Sequence, residues 1–256
     1  MMIVKTEAVV LRSTKYRESS KILALYTREH GKMSVIAKGC RGARNKFGSS
    51  LEPMSYVQAV LYKKEGRELQ LLSQCDLVKA FSRIPEDMER LYAALTIVAL
   101  LDKVAHPEEK NEPLFESTVA ALQTINNATL NAANVLYKYE MDLLGYLGYT
   151  LNFKECVSCG APLERVATAG LKLERGGVLC ASCTGKQLTD GVVSGSVLHL
   201  LQRFQVAADI GNVMDLSLDR EQRAEVRNLL YRYLRRHVEG LERLRTEAVF
   251  ASVLPG

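Results

Sequence analysis

Four cysteines carry the clearest chemistry in this 256-residue chain. Cys156 and Cys159 form one C-x2-C pair, Cys180 and Cys183 form another, and 20 residues separate the pairs. A two-residue gap lets both sulfurs of a turn face one ion, and two such turns complete a tetrahedron of Zn–S bonds of about 2.3 Å. Gly160, Gly176 and Gly177 supply tight turns beside the thiolates. Four protein thiolates leave no coordination position for water, so the predicted ion is one structural Zn2+. A redox dithiol or an iron–sulfur cluster uses the same residue type. The doubled pair favours zinc, because redox C-x-x-C motifs need only one pair and usually open a helix after a strand. Cys40 and Cys75 stand alone and read as small buried residues.

Signatures of catalysis are missing. The sequence holds no G-x-x-x-x-G-K-[ST], H-E-x-x-H, G-x-S-x-G or G-x-G-x-x-G. His30, His106, His199 and His237 are scattered, and none reads as catalytic. Gly39-Cys40-Arg41-Gly42 has the form of a KH loop, but the segments beside it read as strands. Glu108-Glu109 falls in a polar link and reads as solvated. The chain is therefore expected not to be an enzyme.

Charge is the second signal. The net charge is +5, yet the first 80 residues alone carry +8. Lys32, Lys38, Arg41, Arg44 and Lys46 lie in a stretch without any acidic residue. Such a cluster repels itself, and a polyanion, most commonly nucleic acid, relieves that repulsion.

These residues need a frame. The first 80 residues alternate as strands around Thr6–Ser13, Ser20–Arg28, 33–39, 55–64 and 67–81, with a basic loop from Gly39 to Pro53. Five strands suit a small closed barrel such as an OB-fold, and an SH3-like barrel fits nearly as well. Near Phe81–Pro85 the period turns helical. Helices are predicted over 88–104 (with Leu91, Leu95, Val98 and Leu101 inward), 111–125, 133–149, 194–207 and 219–241, the last capped by Ser217 or Asp219. The fold class is α+β and multi-domain: an OB-fold at 1–81, a helical domain at 82–152 and 191–256, and a four-cysteine zinc finger inserted at 153–190.

Composition agrees with a folded chain, at 47% hydrophobic and 25% charged. The longest largely apolar run, Leu91 to Leu101, is too short for the roughly 20 residues of a membrane span. The N-terminus lacks an apolar signal core and carries Glu7 early. The expected location is the cytoplasm, where thiols stay reduced.

Taken together, TEAVVLRSTKYRESSKILALYTREHGKMSVIAKGCR, SSLEPMSYVQAVLYKK, YKYEMDLLGYLGYTLNFKECVSCG, GGVLCASC and LERLRTEAVFAS resemble the bacterial recombination mediator family RecO. The likeness runs from Lys5 to about Val253. Some members lack the four cysteines, so the chain is similar to the zinc-containing ones. The resemblance implies a nucleoid-associated, non-enzymatic protein of DNA repair. It implies binding of single- and double-stranded DNA and annealing of complementary strands, including strands coated by single-strand-binding protein. It also implies work with RecR to help load RecA.

On this reading a basic groove holds the DNA backbone by counterion release, and aromatic rings stack bases. The phosphate contacts expected are Lys15, Arg17, Lys32, Lys38, Arg41, Arg44 and Lys46. The rings expected are Tyr16, Tyr26, Phe47, Tyr56 and Tyr62. Arg232, Arg235, Arg236 and Arg243, near Tyr231 and Tyr233, form a second basic face for another strand or the acidic tail of single-strand-binding protein. The rival is a zinc-containing nucleic-acid-binding regulator, or an adaptor, without annealing activity.

Overall fold

The computed structural model describes residues 2–42, 45–164 and 166–241. Arg44, Arg243 and most of the C-terminal LERLRTEAVFAS segment lie outside the described residues. The chain divides into two compact units, Met1–Asn127 and a second beginning at Ala128.

In the first unit, β1 (Met2–Tyr16), β2 (Ser20–Thr27), β3 (Gly31–Ala37), β4 (Tyr56–Lys63) and β5 (Leu69–Lys79) close a barrel in the order β1-β2-β3-β5-β4. All neighbours are antiparallel except β3 and β5. This is the OB topology. Alternation turns Val4, Ala8 and Val10 of β1, Leu23 and Leu25 of β2, and Met33, Val35 and Ala37 of β3 into one apolar core. Cys40, Phe47 and Cys75 join it, so the two lone cysteines are buried as expected. Phe47 is corrected: it fills the barrel and cannot stack a base. A bulge between Val10 and Arg12 divides β1. The part before it pairs with β2 and β4, whereas Arg12–Tyr16 pairs only with β2 among the described strands.

Two helices, α1 (Met88–Val104) and α2 (Glu112–Asn127), belong to this unit. The change of period near Phe81–Pro85 marks a change of element rather than the edge of the compact unit. The reason is burial. Tyr92, Ala93, Ile97, Val98, Leu100 and Leu101 are covered on α1, and Leu114, Phe115, Leu122 and Ile125 on α2. On α1 the expected inward residues Leu91 and Leu95 are only half-buried. The helix packs on both β1 and α2, so its covered surface is wider than a single stripe. Asp87 caps it by accepting from the Arg90 amide at 2.9 Å.

The second unit holds α3 (Ala132–Tyr146), α5 (Gly195–Val206) and α6 (Arg220–His237). Asp219 closes α6 with a full capping box to Gln222. Buried Asn134 donates to the carbonyls of Val213 and Leu216, at 3.0 and 2.8 Å. Between α3 and α5 in the chain lies a four-stranded sheet, ordered β6-β8-β7-β9: β6 (Asn152–Cys156), β7 (Thr168–Lys172), β8 (Gly177–Leu179) and β9 (Val192–Ser194). The four-residue helix α4 (Ala181–Thr184) follows β8. None of these short strands was anticipated from sequence.

Candidate metal centre and nucleic-acid interface

The four cysteines converge. One ligand atom from each of Cys156, Cys159, Cys180 and Cys183 lies within 4.8 Å of all the others. The sulfurs of Cys159 and Cys180 are 3.7 Å apart. A tetrahedron with metal–sulfur bonds of about 2.3 Å has edges of about 3.8 Å, so the donor set fits one ion.

Local structure explains the convergence. The first turn is closed by the Gly160 amide donating to the Cys156 carbonyl at 2.9 Å, with Gly160 at φ 72°. The second is closed by the Cys183 amide donating to the Cys180 carbonyl at 3.0 Å. Gly176 makes a tight turn at φ 66°, as expected, whereas Gly177 does a different job. A Cβ at Gly177 would stand 2.5 Å from the Asn152 carbonyl oxygen, so this glycine permits β8 to pass close to β6. Cys180–Cys183 does open a short helix after a strand, the setting of a redox dithiol. The second pair of sulfurs at the same point distinguishes it.

Electrostatics favour a cation here. Burial raises the Cys156 thiol, but amides of Cys180, Cys159 and Ser158 outweigh it and bring the group down to about 6. Hydrogen bonds from Cys159 and Cys180 push the Cys183 thiol up to about 12. One thiolate thus opposes the next, and a divalent ion held by the four sulfurs would supply the counter-charge. Cys75 is different: desolvation pushes it up to about 11, in the barrel core.

The barrel's outer surface has a covered and an open part. Tyr26 and Tyr56 are both paired with Val9, so all three share the outer face. Phe115 of α2 closes over that face, its ring centroid 6.2 Å from each tyrosine ring. Tyr26 is 1% exposed and Tyr56 9%. Both rings are therefore corrected as stacking surfaces. Burial, aided by the Glu109 charge, pushes the Tyr26 hydroxyl up to about 12. Arg28 strengthens the closure, over the Phe115 ring at 4.8 Å and paired with Glu7, Glu112 and Glu116.

The open part is the outer side of β3 and β5. Ser34 pairs with Leu69 and Ile36 with Leu71, and Leu71 pairs onward with Tyr62 of β4. Ser34 is exposed, and the others are half-buried. Tyr62 is thus the ring of the expected set beside this face, and Tyr16, 36% exposed, stands at the tip of β1.

Cations gather at the two ends of this face. Near the end of β3 are exposed Lys38 and Arg41. The Arg41 guanidinium donates to the Arg17 carbonyl at 3.2 Å, which brings it to the β1–β2 turn that holds Arg17, with Lys15 near the end of β1. Arg17 lies over Tyr16 at 5.3 Å. Lys46 donates to the Ser73 carbonyl at 2.7 Å, on β5. At the start of β3, by contrast, Lys32 is ion-paired with Asp102 of α1 at 2.9 Å and half-buried. Lys32 is corrected: it lies at the opposite end of the strand from Lys38 and is already neutralised. Lys63 and Arg67, which the sequence reading passed over, stand near it. Their signal was the run Lys63-Lys64-Glu65-Gly66-Arg67 in the hairpin turn.

The second basic face is smaller than expected. Arg235 and Arg236 are exposed, with Arg235 over the Tyr231 ring at 5.6 Å. Arg232 instead donates to the Asp190 carbonyl and is half-buried, and Tyr233 is 2% exposed. Both hold structure: Arg232 anchors the segment that follows the cysteines, and the Tyr233 ring packs on His237 and lies beside Gly176. Among the described residues no helix is long and apolar enough to cross a membrane.

Comparison with known proteins adds the family. The model for the N-terminal part of recombination protein O matches residues 1–81, and that for its C-terminal part matches 85–246. A protein of Salinibacter ruber named DNA repair protein RecO is 34% identical over 98% of this chain and 94% of its own. One of Chloroherpeton thalassium with the same name is 31% identical over 97% and 98%. Another, from Chlorobaculum parvum, is 42% identical over 61% of this chain and 60% of its own.

Proposed function

The chain belongs to the RecO family, and from that premise we propose that it is a DNA-binding mediator of repair that brings complementary strands together. The observation that carries the reading is the open β3–β5 face with cations at both ends. A single strand laid along β3 meets Lys38, Arg41 and Lys46 at one end, with Lys15 and Arg17 beyond them. Each phosphate neutralised releases condensed counterions. Tyr62 offers one ring to a base, worth roughly 1–3 kcal/mol. Arg235 and Arg236 give a second cationic surface for another strand.

Annealing needs no bond chemistry. Screening two phosphate backbones lowers their repulsion, and base pairing then drives the reaction. In this reading the barrel supplies the polyanion surface, and the four cysteines bind one Zn2+ that fixes the short sheet. A closed thiolate site gives that ion a structural role. RecR, the acidic tail of single-strand-binding protein and, indirectly, RecA are the partners of this reading, as the resemblance implies.

The experiment is strand annealing. Complementary labelled oligonucleotides coated with single-strand-binding protein are mixed with the protein, without nucleotide, over a series of salt concentrations. Acceleration that fades as salt rises supports the mediator reading. Retained binding without acceleration would turn the reading toward a regulator or adaptor.

A further inference from the structure

The link between α1 and α2 crosses the barrel at the start of β3. The Lys32 amide donates to the His106 carbonyl at 3.2 Å, and Pro107 bridges to both Gly31 and Lys32. The crossing is so close that a Cβ at Gly31 would collide with the Glu109 carbonyl. Glycine is therefore required at 31 by the link as well as by its φ of 61°.

Beside this crossing is a cavity of about 540 Å³. Its walls include Ser34 of the open face, Lys63 and Arg67 of the β4–β5 hairpin, and Pro107 and Glu108 of the link. Glu108 reaches across to Lys63, with oxygen and nitrogen 3.2 Å apart. The two partners differ in setting: the Glu108 side chain is 76% exposed, whereas that of Lys63 is 19% exposed. Glu108 is also held at φ 62°, a left-handed conformation costly for a residue with a Cβ. An exposed carboxylate in a strained link thus holds the lysine that ends β4 on this side, in register with Met2.

We propose that Pro107–Glu109 is an acidic strap that competes with single-stranded nucleic acid for Lys63. A strand laid on the β3–β5 face contacts the opposite end directly. It gains the Lys63 end only when a backbone phosphate displaces the Glu108 carboxylate. The ion pair is exposed on its acidic side and weak enough for phosphate to replace it. The strap therefore sets how many phosphates the face neutralises and makes contact at this end conditional. This inference rests on the nucleic-acid reading above and adds the regulation of that face.

The test is a double-mutant cycle read by fluorescence anisotropy. The probe is a fluorescein-labelled oligothymidine long enough to fill an OB site of roughly 4–16 nucleotides. Four proteins are compared: the parent, Glu108→Gln, Lys63→Gln and the double variant. Glu108→Gln should tighten binding roughly two- to fivefold, the span an exposed ion pair commands. It should also steepen the logarithmic salt dependence by about 0.7, one further phosphate on a single strand. Both gains should vanish when Lys63 is glutamine. An equal gain with and without Lys63 would reveal only long-range repulsion and overturn the strap, as would no gain at all. If the parent binds no oligothymidine, the nucleic-acid reading falls and the strap with it.

Discussion

Phe115 of α2 stands over Tyr26 of β2 with their ring centroids 6.2 Å apart, and this contact decides which side of the barrel is open. Tyr26 and Tyr56, two of the tyrosines that sequence offered for base stacking, face outward, as a binding surface requires. A helix from later in the chain covers them.

Removing that cover should cost stability. Phe115 is fully buried, and Phe115→Ala should destabilise the first unit by about 3–5 kcal/mol, the range for deleting a buried ring. Urea unfolding followed by tyrosine fluorescence, available without interference because the chain has no tryptophan, measures it. A loss under about 1 kcal/mol, well below that range, would mean that α2 does not seal this face.

Nucleic-acid binding should track the open face and ignore the covered one. Arg41→Ala and Lys46→Ala should each weaken oligothymidine binding and reduce the salt slope by about 0.7. Tyr62→Ala should weaken it by roughly 1–3 kcal/mol. Tyr26→Phe should leave it unchanged. An effect of Tyr26→Phe as large as that of Tyr62→Ala would place the strand on the wrong face.

The six cysteines should fall into two classes. With the metal removed by a chelator, a thiol reagent should react with Cys159, Cys180 and Cys183 in the folded protein, while Cys156, 2% exposed, stays covered. Cys40 and Cys75, both 4% exposed, should stay silent until the barrel unfolds. Before chelation the four should be protected, and metal analysis should find one ion per chain. Cys156→Ser should lose it. Full metal content in that variant would refute the four-thiolate site.

His237 should make the second unit acid-sensitive. Its ring stacks on Tyr149 at a centroid distance of 4.1 Å and meets Tyr233 at 4.5 Å. Burial, and then Arg236, lower its pKa below the ordinary value of about 6.5. The unfolded chain therefore takes up the proton first. Stability should be unaffected above that value and fall as pH drops through it, levelling off below the lower folded value. Melting temperatures from neutral to mildly acidic pH should decline more for the parent than for His237→Phe. Parallel declines would assign the acid sensitivity elsewhere.

How far the sequence could be read depended on whether the deciding contact was local. The helix at Met88–Val104 was predicted to the residue, because its apolar period and its freedom from Gly and Pro are local. The barrel strands followed from alternation, and the metal site from two short spacings. What stayed hidden was long-range. No local pattern says that Phe115 will lie on Tyr26 and Tyr56, or that Asp102 will claim Lys32. The sheet around the cysteines was missed because β8 and β9 have three residues each, too few to show a period. Glu108 reads as solvated and is 76% exposed, but its pairing with Lys63, far away in sequence, stayed hidden.

The bulge in β1 has one more consequence. Beyond it, Arg12–Tyr16 has β2 on one side and no strand on the other among the described residues. A bare β edge invites pairing with a second chain and, from there, aggregation. Arg12 and Lys15 sit on that edge, exposed, with Arg17 at its tip. Lys15 and Arg17, proposed to attract DNA, therefore also keep copies of this protein apart. Replacing them with neutral residues would cost solubility along with binding.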